Sequence, residues 1–202
     1  MLRQQGTEVI APIRADLDLS DPDSVQNYLR ANRNMEVDIL VNNAGINFIN
    51  EIEAIEMEAW QAMLQVNLTA PMQLIQGFAP HMKHQGWGRI VNISSIFSHV
   101  VKEGRAAYSA TKSGINGLTR GAAVELAPHG ILVNAVCPGY VETEMTRANN
   151  DESAIQSIAA AIPLQRLARP EEIAHWVAFL CSEANSYMTG QTLLVDGGFT
   201  CR

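Results

Sequence analysis

Short apolar runs of strand length alternate along the chain with longer segments in which apolar residues recur every three or four positions. EVIAPIR (8–14) has the length and composition of a strand, and Asp21-Pro22 then opens a helix, since proline's fixed φ and missing N–H suit a first helical turn. VDILVNN (37–43) is a second apolar run, closed by Ala44-Gly45. A helical period from about Glu58 to Lys83 stops before Gly86-Trp87-Gly88, ahead of the apolar run RIVNIS (89–94). Residues 106–127 are helical and rich in small side chains, ending near Pro128-His129-Gly130, and ILVNAVC (131–137), closed by Pro138-Gly139, is the next strand. A polar stretch with a helical middle (141–165) leads to a helix opened by Pro170-Glu171-Glu172, and TLLVD (192–196) is the last strand, before Gly197-Gly198. These strands are continuously apolar rather than alternating, so both of their faces are buried. The pattern predicts an α/β fold: a doubly wound parallel sheet with helices on both faces, in a single domain over residues 1–202. The wholly polar run Asn149-Asn150-Asp151 reads as a mobile surface loop.

Composition narrows the function classes. Hydrophobic residues make up 47% of the 202 positions and charged ones 17%, which predicts a packed core. A net charge of −7 argues against a nucleic-acid partner, which calls for a basic face. No apolar run reaches the ~18–20 residues of a membrane span, and the first residues hold no signal-peptide core. Cys137, Cys181 and Cys201 are odd in number and widely spaced, without a CxxC pair, so neither a disulfide framework nor a thiolate metal site is expected. A soluble cytoplasmic protein is the expectation. His81 and His84 lie one helical turn apart without a third ligand and read as surface residues. Gly114, Gly117 and Gly121, interleaved with polar residues, read as close packing between soluble helices.

The sharpest chemical feature is Tyr108-Ser109-Ala110-Thr111-Lys112. Positions four apart share a helix face, so Tyr108 and Lys112 lie together. A phenol titrates near 10, and an ammonium one turn away favours the phenolate, lowering that value toward the range useful for general acid–base work.

Ser95 lies 13 residues before Tyr108 at the end of RIVNIS, and Asn67 lies 41 residues before it in VNLTA. Asn42-Asn43-Ala44-Gly45, Pro138-Gly139-Tyr140-Val141-Glu142-Thr143, the acidic turn Asp18-Leu19-Ser20-Asp21 and VDGGF near the C-terminus complete an ordered set. With these residues the chain resembles the short-chain dehydrogenase/reductase family over essentially its whole length, and most closely its 3-oxoacyl carrier-protein reductases. The resemblance implies a Rossmann-like fold and hydride transfer between NAD or NADP and a carbonyl or secondary alcohol. It implies a catalytic tetrad of Asn67, Ser95, Tyr108 and Lys112. Tyr108 would give or take the proton, Lys112 would hold the ribose hydroxyls, Ser95 would bond the substrate oxygen, and Asn67 would position a relay water. It implies cofactor contacts from Asp18 at the adenine, from Asn43, Ala44 and Gly45, from Tyr108 and Lys112, and from Pro138, Gly139, Val141 and Thr143 near the nicotinamide. A homodimer or homotetramer formed through the helices at 58–83 and 106–127 is implied in the same way.

Against the family pattern the chain departs at its start. The glycine-rich turn between a first strand and first helix, which cradles the pyrophosphate on backbone amides, is absent, and Gly86-Trp87-Gly88 precedes a strand instead of following one. The match begins before the family's third strand, so the domain is expected to be incomplete at the N-terminus, with the first two strands absent. Those strands belong between the third and fourth. VDILVNN is therefore expected to present an unpaired edge unless 8–14 moves two places to fill the gap, which Pro12 disfavours. IFSHVVKEGRA (96–106) follows Ser95 without the small glycine that the family often has soon after it. Met145, Ile155, Ile158 and Ile162 in 144–165 suit an apolar-walled lid over substrate. Two functions compete: an NAD(P)-dependent oxidoreductase, and a cofactor-deficient form without catalysis that serves at most as a subunit partner of a homologue.

Overall fold

The computed structural model describes residues 1–201. Four parallel strands, β1 (Ile39–Asn42), β2 (Gly88–Ile93), β3 (Ile131–Pro138) and β4 (Thr192–Val195), lie in the order β1-β2-β3-β4. Leu40 stands opposite Ile90, Ile90 opposite Val133, and Cys137 opposite Leu194. Parallel neighbours need crossovers, and helices supply them: α1 (Pro22–Ala31) before β1, α2 (Met57–Leu64) and α3 (Ala70–Gln85) between β1 and β2, and α4 (Ala106–Leu126) between β2 and β3. Next come α5 (Glu144–Ala148), α6 (Glu152–Ala161) and α7 (Pro170–Cys181), which lead to β4.

Successive strand residues point to opposite faces, so each run fills two cores. On one face Leu40, Ile90, Ile131 and Val133 pack with Val25 of α1, Leu74, Ile75, Phe78 and Met82 of α3, and Ala123 and Leu126 of α4. On the other, Val91 and Val136 pack with Ile173, Leu180 and Cys181. A polar thread crosses the sheet. Asn42 Nδ2 donates to Asn92 Oδ1 at 2.8 Å, and Asn92 Nδ2 donates to Thr119 Oγ1 at 2.9 Å. Each amide is satisfied, so this buried polarity locks register instead of costing stability.

The strand expected at 8–14 does not form. That segment has no regular structure, and Ile10 and Ile13 are exposed. Pro12 has no N–H to give a ladder, and the segment leaves the open edge of β1 unpaired. β1 is accordingly an edge strand, paired only with β2, and Ile39 and Val41 are half-buried. The Asn149–Asp151 run is a loop as expected, a short non-helical connection between α5 and α6 that is tied down by hydrogen bonds. Asn149 and Asn150 bond back to Met145 and Thr146 carbonyls, and Asp151 caps α6 by accepting from Ala154 N. Of the three glycines of α4, only Gly114 serves close packing within the chain, since a Cβ there would lie 2.9 Å from Leu68 Cδ2. Gly121 faces open space. His81 pairs with Asp38 at 3.0 Å.

Candidate active site

The site forms where β1, β2 and β3 end and α4 begins, which is where open parallel sheets place their ligands. α4 carries Tyr108 in its first turn and Lys112 one turn later, with Lys112 Nζ 5.5 Å from the Tyr108 ring centroid. Lys112 is 3% exposed and donates to the Ile93 carbonyl at 2.8 Å. Burial pushes its ammonium down to about 8, against a smaller opposing pull from Cys137. The phenol of Tyr108 departs from the expectation of a lowered pKa. Burial pushes it up, while the Ser95 side chain and the Arg105 guanidinium pull the other way more weakly. Desolvation of the phenolate therefore outweighs neighbouring charge, and the Tyr108 phenol keeps its proton at neutral pH.

Ser95 follows β2 and opens a short 3₁₀ turn (Ile96–Ser98), its Oγ accepting from Phe97 N at 3.2 Å. Asn67 arrives by a different device. The helix from Met57 to Gln85 is continuous but passes through a π segment at Gln65–Thr69, in which Ala70 N–H donates to the Gln65 carbonyl five residues back. Such local widening of a helix recurs at functional sites. From it Asn67 binds both backbone groups of Ile46: Oδ1 accepts from Ile46 N and Nδ2 donates to Ile46 O, each at 2.9 Å. A third bond runs from Nδ2 to Thr111 Oγ1 at 3.1 Å.

That clamp holds the turn after β1. Asn43 and Ala44 are exposed there, and Gly45 is half-buried. A Cβ on Gly45 would sit 3.4 Å from both Asn67 Oδ1 and Lys112 Nζ, so the bare glycine backbone, the amide and the ammonium converge on one spot. Across the sheet, Pro138 ends β3 and Gly139 N donates to the Val195 carbonyl at 2.9 Å. A side chain at Gly139 would come within 2.8 Å of the Asp196 backbone, which the close approach of the two strand ends forbids. Val141 bridges to Ala168, and Thr143 caps α5 by accepting from Thr146 N. Between these loops and Tyr108 runs a string of edge-to-face rings: Tyr108–Phe97, Phe97–Tyr140 and Tyr140–Phe199.

The structure thus brings Asn67, Ser95, Tyr108, Lys112 and Gly45 together, with the 138–143 turn alongside through Phe97 and Tyr140. Asp18 makes its contacts elsewhere. Its carboxylate accepts from Ser20 N, Ser20 Oγ and Arg14 Nε, and these bonds, those from Ser20 first, hold its pKa down to about 2. Three participants escaped sequence reasoning: Thr111, Phe97 and Arg105. Arg105 stands three positions before Tyr108 and so shares its face, but its burial runs against the usual habit of arginine.

The residues fit half of a nicotinamide dinucleotide. Gly45, Tyr108, Lys112 and the 138–143 turn are the residues that would hold the nicotinamide and its ribose. No glycine-rich strand-to-helix turn exists in the sequence for the pyrophosphate. Among the described residues no cluster of three potential metal-ligating side chains occurs, and no helix is long and apolar enough to cross a membrane.

Fold and motif order together define the class, and the chain belongs to the short-chain dehydrogenase/reductase family. A family model described as enoyl-(acyl carrier protein) reductase matches residues 2–200. Among curated relatives, the 3-oxoacyl-acyl-carrier-protein reductase FabG of Aquifex aeolicus is 46% identical over 80% of this chain and 65% of its own length. The enzyme of the same name from Vibrio cholerae is 40% identical over 90% of this chain and 75% of its own. A crystal structure of gluconate 5-dehydrogenase from Burkholderia cenocepacia, in complex with NADP and tartrate, superposes with a TM-score of 0.87 at 35% identity, covering 92% of this chain and 74% of that one. The chain spans just under two thirds of the first of these relatives.

Proposed function

We propose that this chain is an NAD(P)-dependent oxidoreductase that interconverts a small carbonyl compound and its secondary alcohol. Asn67 and Lys112 converge on the bare backbone of Gly45, with Tyr108 beside Lys112 and Ser95 beside Tyr108, and that arrangement carries this reading. A bound nicotinamide would supply the two-electron chemistry, and the chain's own side chains manage the proton. Tyr108, kept protonated by burial, donates to the carbonyl oxygen as the alcohol forms, and Ser95 bonds the same oxygen. Lys112 lies behind the phenol and near Gly45, where ribose hydroxyls would accept its hydrogen bonds. Asn67 spends its three bonds on Ile46 and Thr111, so its first role is to position the Gly45 turn, with the relay water secondary.

Relatives named 3-oxoacyl-carrier-protein reductase and gluconate 5-dehydrogenase support a carbonyl or alcohol substrate, and the NADP-bound neighbour supports the cofactor. Three unpaired cysteines support a reducing, cytoplasmic setting. Open space around Gly121 and the exposure of Val124 on one face of α4 support a homodimer or homotetramer through α4 and the helix that runs from α2 into α3. The test is Tyr108→Phe. Carbonyl reduction should fall by about 10²–10⁴-fold with the circular dichroism spectrum unchanged, as loss of a general acid requires. Turnover within a few fold of the parent would remove Tyr108 as the proton donor.

A second reading, a non-catalytic subunit partner of a homologue, rests on the outer edge of β1, which is unpaired among the described residues. Cofactor titration separates the two.

A further inference from the structure

Two arginines are buried alike and served oppositely. Arg89 is 5% exposed, and its guanidinium meets four backbone carbonyls, those of Gly88, Gly130, Ser182 and Asn185, at 2.8–3.4 Å. Arg105 is 4% exposed, and its Nε is sealed from solvent with no hydrogen-bond acceptor. None of its nitrogens has a carboxylate or carbonyl partner among the described residues. Burying a guanidinium without a counter-group is costly, and although the chain has 21 acidic residues, no carboxylate among the described residues meets it.

Arg105 is also held in place. Gly104 turns the chain at φ +72°, where a Cβ would meet Ile49 Cγ2 at 2.8 Å, and α4 begins directly after. The Arg105 guanidinium stands 5.5 Å from the Phe97 ring centroid, and Phe97 touches both Tyr108 and Tyr140 edge-on. Lys102 Nζ lies 5.8 Å from the Tyr140 ring and likewise has no ion-pair partner among the described residues. The two cations are near enough that Arg105, after burial, helps push the Lys102 ammonium down. Positive charge without an internal partner thus collects over an aromatic floor beside Tyr108.

We propose that Arg105, assisted by Lys102, is the recognition site for the carboxylate of an oxo acid or hydroxy acid whose reacting carbon faces Tyr108. This rests on the oxidoreductase reading of the site. The anion belongs to the substrate rather than the cofactor, because Arg105 and Lys112 lie on opposite sides of Tyr108 along α4. Seven residues at 1.5 Å rise put them roughly 10 Å apart, Lys112 toward the Gly45 turn and Arg105 toward Phe97 and Tyr140. A carboxylate suits the planar guanidinium fork, which binds two oxygens at once.

The experiment combines melting curves with substrate discrimination in the parent, Arg105→Leu, Arg105→Lys and Tyr108→Phe. Malonate, a carboxylate that cannot be turned over, should raise the melting temperature of the parent and Tyr108→Phe, raise that of Arg105→Lys less, and leave Arg105→Leu unmoved. Without malonate, Arg105→Leu should melt no lower than the parent, since it replaces an unpaired charge by an apolar group. With saturating nicotinamide cofactor, the ratio of kcat/KM for a 3-oxo acid to that for its methyl ester should fall by about 10- to 100-fold in Arg105→Leu, the worth of a charge-assisted bond. An equal malonate shift in the parent and Arg105→Leu, no shift in the parent, a lower melting temperature for unliganded Arg105→Leu, or an unchanged ratio would each overturn the proposal. Arg105-dependent stabilisation by malonate with no carbonyl turnover in the parent would sink the oxidoreductase reading and leave the carboxylate site standing.

Discussion

Lys112 shows how a single residue's surroundings decide its chemistry. One turn from Tyr108, a solvated ammonium would lower the phenol's pKa, and that was the expectation from spacing alone. Both groups instead lose water, so the phenol rises and the ammonium falls to about 8. Spacing is legible in a sequence, whereas desolvation depends on what packs around the pair, here β2 and the end of β3. The lowered ammonium gives a signed prediction. Below about 8 Lys112 is charged in folded and unfolded chains alike, and its burial penalty is fully present. Between about 8 and the ordinary 10.5 the unfolded chain binds more protons, so the folded state gains stability as pH rises through that window. Lys112→Met removes the titration. Its melting temperature relative to the parent should therefore be highest near pH 7 and decline toward pH 10. A difference that stays constant or grows would show that Lys112 is not desolvated in the folded chain.

Among the elements, the legible ones are those whose local signals agree. Asp21-Pro22 opened α1, Pro170 opened α7, and the continuous apolar runs became β1 to β4. EVIAPIR failed because its apolar residues described a possible strand, while pairing depends on a neighbour and on backbone donors that Pro12 lacks. The π segment was illegible for another reason: it arises from one shifted hydrogen bond inside an otherwise regular helix, and no residue type announces it. Its consequence is testable. Asn67→Ala would strip Ile46 of both its side-chain hydrogen bonds and take from Thr111 Oγ1 its donor, leaving only the bond to the Tyr108 carbonyl, in a place too buried for water to substitute freely. Such a loss costs about 1–3 kcal/mol. Chemical denaturation should show it, together with faster amide exchange at Ile46 than at Asn42 in β1. Unchanged stability and exchange would mean that the Gly45 turn is held by its other contacts.

At the scale of the whole molecule the site is unequally built, and affinity should report it. On the proposed reading Gly45, Lys112, Tyr108 and the 138–143 turn would hold a nicotinamide and its ribose, whereas the sequence offers no glycine-rich turn whose amides would receive a pyrophosphate. Asp18, the expected adenine contact, is already committed to Arg14 and Ser20. Beside these, β1 turns an unpaired backbone edge outward, where a further strand would both complete the sheet and bring its following turn to the pocket. Within the 202-residue chain the adenylate half of a dinucleotide therefore has little to hold. NADPH and reduced nicotinamide mononucleotide should bind with dissociation constants within about 10-fold of one another, a difference near 1.4 kcal/mol, and neither in the low micromolar range. Fluorescence titration measures both. Micromolar NADPH binding with a large preference over the mononucleotide would show that a phosphate cradle exists without the glycine-rich turn, and would favour an independent enzyme. Weak binding of both that is restored on mixing with a homologue carrying the turn would favour the subunit-partner reading instead.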